Sequence, residues 1–224
     1  MPRSSAGEQR TDKRFRQMFQ RYVSAPEFDG ILRSRRSVRA YKPEPLDSEL
    51  LREALDAARW APSPHNAQPW RFVVLTTVQS KLNLAEAMGQ PFRRDLLADG
   101  LSPDEVAART EQSRNRLAGA AAVVVVCLSE EGLQRYPDAD RQAAERAMAV
   151  QSLGAAIQNL LLTLHHRGWG ACWMCAPLFC PETVRLALDL PDGWEPQAMI
   201  TVGRPAEEPI APGRRGLESI VVYR

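Results

Sequence analysis

Lysine is nearly missing from this 224-residue chain. Only Lys13, Lys42 and Lys81 are lysines among 29 basic residues, and arginine supplies the rest. Arginine's planar fork bonds two oxygens at once, so the bias suits phosphate recognition. With 27 acidic residues the formal net charge is only +2, which argues against a dedicated nucleic-acid binder. The longest apolar run, Leu117–Leu128, is too short to cross a bilayer as a helix. The opening residues MPRSSAGEQRTDKRFRQ lack the apolar stretch of a secretory signal. Cysteine is sparse as well. Cys127, Cys172, Cys175 and Cys180 read as reduced thiols of a cytoplasmic protein, not as a disulfide framework. GxGxxG and Walker A sequences are absent, and no Ser/His/Asp spacing stands out. What remains is ordinary globular material, 44% hydrophobic and 25% charged, enough for one domain with its own core.

Residues 1–9 read as disordered. Phe15, Met18, Phe19 and Tyr22 follow helical spacing, so residues 1–27 are expected to form a helical arm before a single domain over 28–224. A short helix is expected over Pro26–Arg35. Asp47 is an N-cap for the next, with Leu46 and Leu51 able to staple it. Strands are expected at Phe72–Thr76, Ala121–Leu128, Ala171–Met174, Ala198–Gly203 and Glu218–Tyr223. Ser80–Met88 reads as a short helix and Gly89–Gly100 as turn-rich. Ser102 to Glu105 is a capping box opening a helix to about Leu117. The longest helix falls within Pro137–Gly168. Its second half is apolar nearly all round, as in a core or a subunit interface. A final short helix is expected over Pro181–Leu188. Strands and helices alternate irregularly, which argues an α+β fold.

Two stretches carry chemistry. Arg33, Arg35, Arg36 and Arg39 cluster around Ser37. In an extended chain Arg35, Ser37 and Arg39 share a face, offering two guanidinium forks and a hydroxyl to a phosphate. A solvated basic helix end would give the same composition. The second stretch is Ala61-Pro62-Ser63-Pro64-His65-Asn66-Ala67-Gln68-Pro69-Trp70. Its prolines stiffen it, and Asn66 and Gln68 present donor–acceptor amides suited to a planar heterocycle. Cys172-Trp173-Met174-Cys175 is a single CxxC on an expected strand. Buried structural cysteines are expected there, since zinc needs a second pair and redox motifs open a helix. His165 and His166 sit where they would oppose a helix C-terminal dipole. No metal site is expected.

The run Arg35-Arg36-Ser37-Val38-Arg39-Ala40-Tyr41, the proline pair, the capped helix and the Ala61–Phe72 block together resemble the nitroreductase family of flavin enzymes. The long Ala/Leu-rich helix, the Gly-Trp-Gly strand and the Arg-rich tail agree, so the resemblance spans about residues 28–224. It implies an α+β nitroreductase-like fold with a central mixed sheet flanked by helices. It also implies a homodimer with C-terminal strand exchange and FMN at the interface. Arg35, Arg36, Ser37 and Arg39 would hold the FMN phosphate and ribityl chain. Pro62, Ser63, Pro64, Asn66 and, less firmly placed, Gln68 would touch the isoalloxazine, some from the partner. Met174, Cys175, Ala176, Pro177 and Leu178 would run beside the flavin's reactive edge. Arg214 and Arg215 would close on the phosphate from the tail.

Two departures stand out: Cys175-Ala176-Pro177 replaces a common Glu-Gly pair, and Gly213-Arg214-Arg215 replaces Lys-x-Arg. Ser37 and Asn66 are unlike the branch that makes dimethylbenzimidazole. The lack of a Thr-Glu-Pro-Trp pattern separates the chain from the dehalogenases. Leu190–Pro196 and the Ala-Pro-Ser-Pro-His start resemble the branch that reduces a dehydro precursor in deazaflavin coenzyme biosynthesis. The implied activity is ping-pong hydride transfer from NAD(P)H, or a deazaflavin donor, to a small planar or conjugated acceptor. No side-chain acid or base is obligatory, and residues 89–117 would form the lid. A flavin-storage protein without turnover and a nucleic-acid binder using the basic arm are the rival readings.

Overall fold

The computed structural model describes residues 25–224, so the expected arm helix over Arg10–Tyr22 lies outside them. The chain divides into an N-terminal unit ending at Arg35 and a body, Arg36–Arg224. The described part of the first unit is α1 (Ala25–Ser34), with Arg35 N–H still bonded to Ile31 O. The body runs β1 (Tyr41–Lys42), α2 (Ser48–Ala58), β2 (Trp70–Leu75), α3 (Val78–Ala98), α4 (Pro103–Gly119), β3 (Ala122–Ser129), α5 (Ala139–His166), β4 (Gly170–Met174), α6 (Pro181–Ala187) and β5 (Trp194–Pro205).

β3 is buried along its whole length, and its side chains alternate between two cores. Ala122, Val124, Val126 and Leu128 face α2 and α5; Val123, Val125 and Cys127 face α3, α4 and α6. A strand covered on both faces reads as an unbroken apolar run, which is why the segment shows no polar alternation. β3 pairs with β2 on one edge and β5 on the other. β5 in turn carries β4 and β1 on its far edge. All four ladders are antiparallel. The expected mixed sheet is therefore corrected: its parallel component is one bridge, Ser37 to Ala171.

β5 is twice the expected length. Its register slips between Val126 and Cys127, where Ala198 and then Pro196 are the partners. Pro196 has no N–H for a regular ladder, and the bulge at Gln197 lets the strand carry on past it.

The helix starts follow their caps. Asp47 accepts from Glu49 N–H at 2.9 Å, and the Ser102–Glu105 box closes in both directions. The expected short helix and turn before it are corrected. α3 continues through Gly89 and Pro91, because Leu84, Met88 and Leu96 keep a buried face at helical spacing. It stops at Gly100, whose φ of 86° allows Leu101 N–H to reach back to Leu96 O. α5 ends the same way at Gly168. α5 is long and apolar enough, by length and composition, to cross a membrane. Here Leu153, Ile157, Leu160 and Leu164 bury it in the core.

The strand expected over Glu218–Tyr223 does not form within one chain. A 3₁₀ turn occupies Leu217–Ser219, and Ile220, Val222 and Tyr223 are exposed. A strand needs a neighbour for its N–H and C=O groups, and this segment has none in its own sheet. Neither the dimer nor strand exchange is visible in a single chain.

Gly170 is where the two segments of the parallel bridge come closest. A Cβ there would lie 2.7 Å from Val38 Cβ, a branched atom that cannot swing away. Gly170→Ala should cost roughly 1–3 kcal/mol of stability in urea unfolding. Gly213→Ala, with open space around it, should be near neutral.

Candidate cofactor site

The basic strip is extended, as its sequence suggests. Val38 N–H donates to Ala171 O at 3.0 Å and its side chain is buried. Alternation then leaves Ser37 and Arg39 exposed on the opposite side, with Arg36 half-buried. Arg35 belongs to the N-terminal unit. Tyr41, not singled out from sequence, pins the strip. Its hydroxyl donates to Val38 O at 2.6 Å and meets Thr201 Oγ1 at 2.8 Å. Burial raises the Tyr41 phenol above its ordinary range, so it stays a neutral donor. Gly203 makes room for its ring, since a Cβ there would lie 2.6 Å from Tyr41 Cδ1.

The strip and the expected flavin-edge segment hang on one strand. Ser37 bridges Ala171 near the start of β4, and Cys175 follows its end. At about 3.3 Å per residue, Ala171 and Cys175 are roughly 13 Å apart. Ala176–Phe179 then turns as a 3₁₀ helix, with Pro177 buried and Cys175 and Leu178 exposed. Beside this turn lies a cavity of about 430 Å³. Met88, Phe92 and Leu96 of α3, Leu117 of α4 and Met199 of β5 form its apolar wall, and Cys175, Ala176 and Cys180 its other side. Its charged lining is acidic, Asp95 and Asp99.

The proline-rich loop folds as the composition suggests, but with backbone strain that composition does not reveal. His65, Asn66 and Gln68 take φ of 52°, 55° and 49°, in the left-handed region. Such residues cost on the order of 1 kcal/mol each and persist only where contacts enforce them. Ser63 does much of this. Its carbonyl accepts from Asn66 N–H and its hydroxyl from Gln68 N–H at 3.1 Å. Pro62, His65, Asn66 and Gln68 are exposed; Ser63 and Pro64 are half-buried. The loop packs chiefly on α5, and its Ala67 lies against Gly132. β4 thus joins the strip and the turn. In the tail, Arg214 donates to its own neighbours Pro212 O and Gly213 O, and Arg215 is exposed.

Sequence reasoning missed Glu145. It is fully buried on α5, and His65 Nε2 lies 3.8 Å from its Oε2. The signal was present: Glu145, Ala149, Ser152, Leu153 and Ala156 share one helical face, and all are buried. The expectation for the CxxC needs correction too. Cys172 is buried on β4, but Cys175 is exposed because the strand has ended before it. No cluster able to hold a metal occurs among the described residues.

A profile of the Nitroreductase family matches residues 32–204. A Thermus thermophilus protein named NADH dehydrogenase is 35% identical, over 85% of this chain and 92% of its own. The 5,6-dimethylbenzimidazole synthase of Rhodospirillum rubrum is 31% identical, over 80% of this chain and 82% of its own. A Desulfovibrio desulfuricans protein described as a nitroreductase, solved in complex with FMN, superposes with a TM-score of 0.68 at 26% identity, over 90% of this chain and 98% of its own. The chain belongs to the nitroreductase family. It is accordingly an FMN-dependent oxidoreductase, as its sequence resemblance implied.

The thiols should sort by burial. Burial pushes the Cys127 thiol up to about 12, so it stays protonated and inert at neutral pH. Cys180 is raised by burial and, secondarily, by Asp95. Iodoacetamide followed by peptide mass spectrometry should modify Cys175 first, and Cys127 and Cys172 only after unfolding.

Proposed function

We propose that the protein moves electrons from NAD(P)H to a small, planar, uncharged acceptor, working as a homodimer with one FMN per chain. The observation that carries this reading is the layout along β4. A charged strip stands at one end, and an exposed turn beside an apolar cavity at the other.

The residues present fit FMN. Arg36 and Arg39 with Ser37 hold the phosphate, helped by Arg35 and by Arg215 and Arg214 of the tail. Cys175, Ala176, Pro177 and Leu178 lie along the flavin's reactive edge. Pro62, Ser63, Pro64, Asn66 and Gln68 reach the ring of the flavin held by the other subunit, in keeping with a loop that packs chiefly on α5 in its own chain. Bound FMN supplies the hydride and electron transfer. The protein contributes position, charge and exclusion of water. No side chain needs to act as acid or base, in keeping with a site of arginines, amides and main chain. In the dimer, Glu218–Tyr223 pairs with the partner's sheet and so gains the hydrogen-bond neighbours it lacks alone.

The cavity takes the acceptor. Its walls favour a flat apolar molecule, and Asp95 and Asp99 disfavour an anion. The helical hairpin α3–α4, which includes the segment 89–117 expected as a lid, then sets acceptor shape. The deazaflavin-branch reading rests on Leu190–Pro196 and on the Ala-Pro-Ser-Pro-His start of the proline-rich loop. In the fold Leu190–Pro196 makes the turn into β5: Gly193 has φ of 83° and Glu195 pairs with Arg146 at 2.6 Å. The names of the relatives speak of NADH and NAD(P)H, so the NAD(P)H reading stands first.

The visible spectrum of the purified protein, with heat release and identification of the chromophore, tests the reading directly. FMN near one per chain is expected, as is re-oxidation of the reduced flavin by an added quinone. Flavin that cannot be re-oxidised by acceptors would leave a storage protein instead. Arg35→Ala with Arg36→Ala should give colourless protein. Each charge-assisted contact is worth about 1.5–3 kcal/mol, so together their loss weakens FMN by roughly 100-fold or more. Menadione should be reduced with a higher kcat/KM than its sulfonated analogue, and Asp99→Asn should narrow that gap. An unchanged gap would place the acceptor elsewhere.

A further inference from the structure

Glu145 is a buried ionisable side chain that the flavin reading leaves without a task. Its Oε1 accepts Gln134 N–H at 3.1 Å. Its Oε2 is sealed from solvent and has no hydrogen-bond partner among the described residues. An unpaired polar oxygen in a dry site is disfavoured, so a polar group that faces it is held in place. Arg146, next along α5, turns instead to Glu130 and Glu195. The group that faces Oε2 is His65, with Nε2 at 3.8 Å and its own side chain about half exposed to water at 47%.

His65 opens the left-handed run of the proline-rich loop. That run is held by Ser63, by Ala67 N–H bonding Pro64 O at 2.9 Å, and by Arg71 donating to Gln68 O at 3.1 Å. None of these bonds fixes the loop to the helical layer below it. The His65–Glu145 pair joins loop to helix, and Gln134 ties the neighbouring 130–134 loop to the same carboxylate.

We propose that Glu145 is a positioning residue of the flavin site: it holds His65 through the facing Oε2–Nε2 pair and so sets the strained run that presents the Asn66 and Gln68 amides. This rests on the reading that those amides meet the flavin. Glu145 itself touches neither cofactor nor substrate.

The test uses the full chain with Glu145→Gln, His65→Asn and the double variant. Asparagine tolerates the left-handed region, so His65→Asn keeps the backbone preference while losing the reach to Glu145. FMN affinity is read by fluorescence quenching on reconstitution, and the bound flavin by its visible absorption bands. Each single variant should weaken FMN on the order of tenfold and shift the bands, and the double should be no worse than the weaker single. Wild-type affinity and bands in His65→Asn would overturn the proposal, as would strictly additive losses. A lower Tm with unchanged bands would mark a purely structural role and would also overturn it. If Glu145→Gln fails to fold, His65→Asn decides alone, being an exposed substitution. Asn66→Ala separates the two levels. Silence there overturns the loop–flavin reading itself, whereas a damaged Asn66→Ala beside a silent His65→Asn overturns only the role of Glu145.

Discussion

The site depends on the far edge of β5. One edge of that strand is taken by β3, the centre of the core, and the other carries β4 along Met199–Gly203 and β1 at Arg204–Pro205. β4 in turn holds the basic strip through a single parallel bridge. Loosening β5 would release the strip and the turn after β4 together. Tyr41 reinforces this by bonding the strip's carbonyl and the Thr201 side chain at once. Arginines on a flexible surface segment would lose much side-chain entropy on gripping a phosphate. Here the backbone beneath them is already ordered by the sheet.

Much of this was legible in the sequence, because local chemistry and tertiary demand agree there. Asp47 and Ser102 cap helices as their neighbours require, and the valine run of β3 could only be a central strand. Alternation put Ser37 and Arg39 on one exposed side, whereas Arg35, expected beside them, is half-buried and still bonded to Ile31 O at the end of α1. The failures came where packing overrode local signals. Gly89 and Pro91 read as a helix stop, yet the burial of Met88 and Leu96 carries α3 through them. The CxxC looked uniform, although one cysteine lies inside the strand and the other beyond it. Glu218–Tyr223 has strand composition, but composition cannot supply a neighbouring strand.

The proline-rich loop is a different kind of case. Its stiffness could be read from Pro62, Pro64 and Pro69, but its three left-handed residues could not. Asn and Gln have no sequence mark that separates a left-handed conformer from an ordinary one. The bonds that hold the run, from Ser63, Pro64 and Arg71, are local, but which backbone basin they close on is not written in composition. Sequence order hides Glu145 from His65 by eighty residues, while the fold sets them 3.8 Å apart.

The α3–α4 hairpin has a self-contained construction. Thr77 caps its start, Gly100 closes its first helix, and the Ser102–Glu105 box opens its second. Its backbone hydrogen bonds are thus satisfied without borrowing from the sheet. The helical side of the cavity therefore belongs to a unit with its own backbone closure, while Met199 and the turn after β4 tie the other side to the strand that carries the basic strip. Residues such as Phe92 or Thr110 can be exchanged without disturbing a single ladder bond. In such an architecture, substrate range is free to diversify while the redox centre is inherited unchanged.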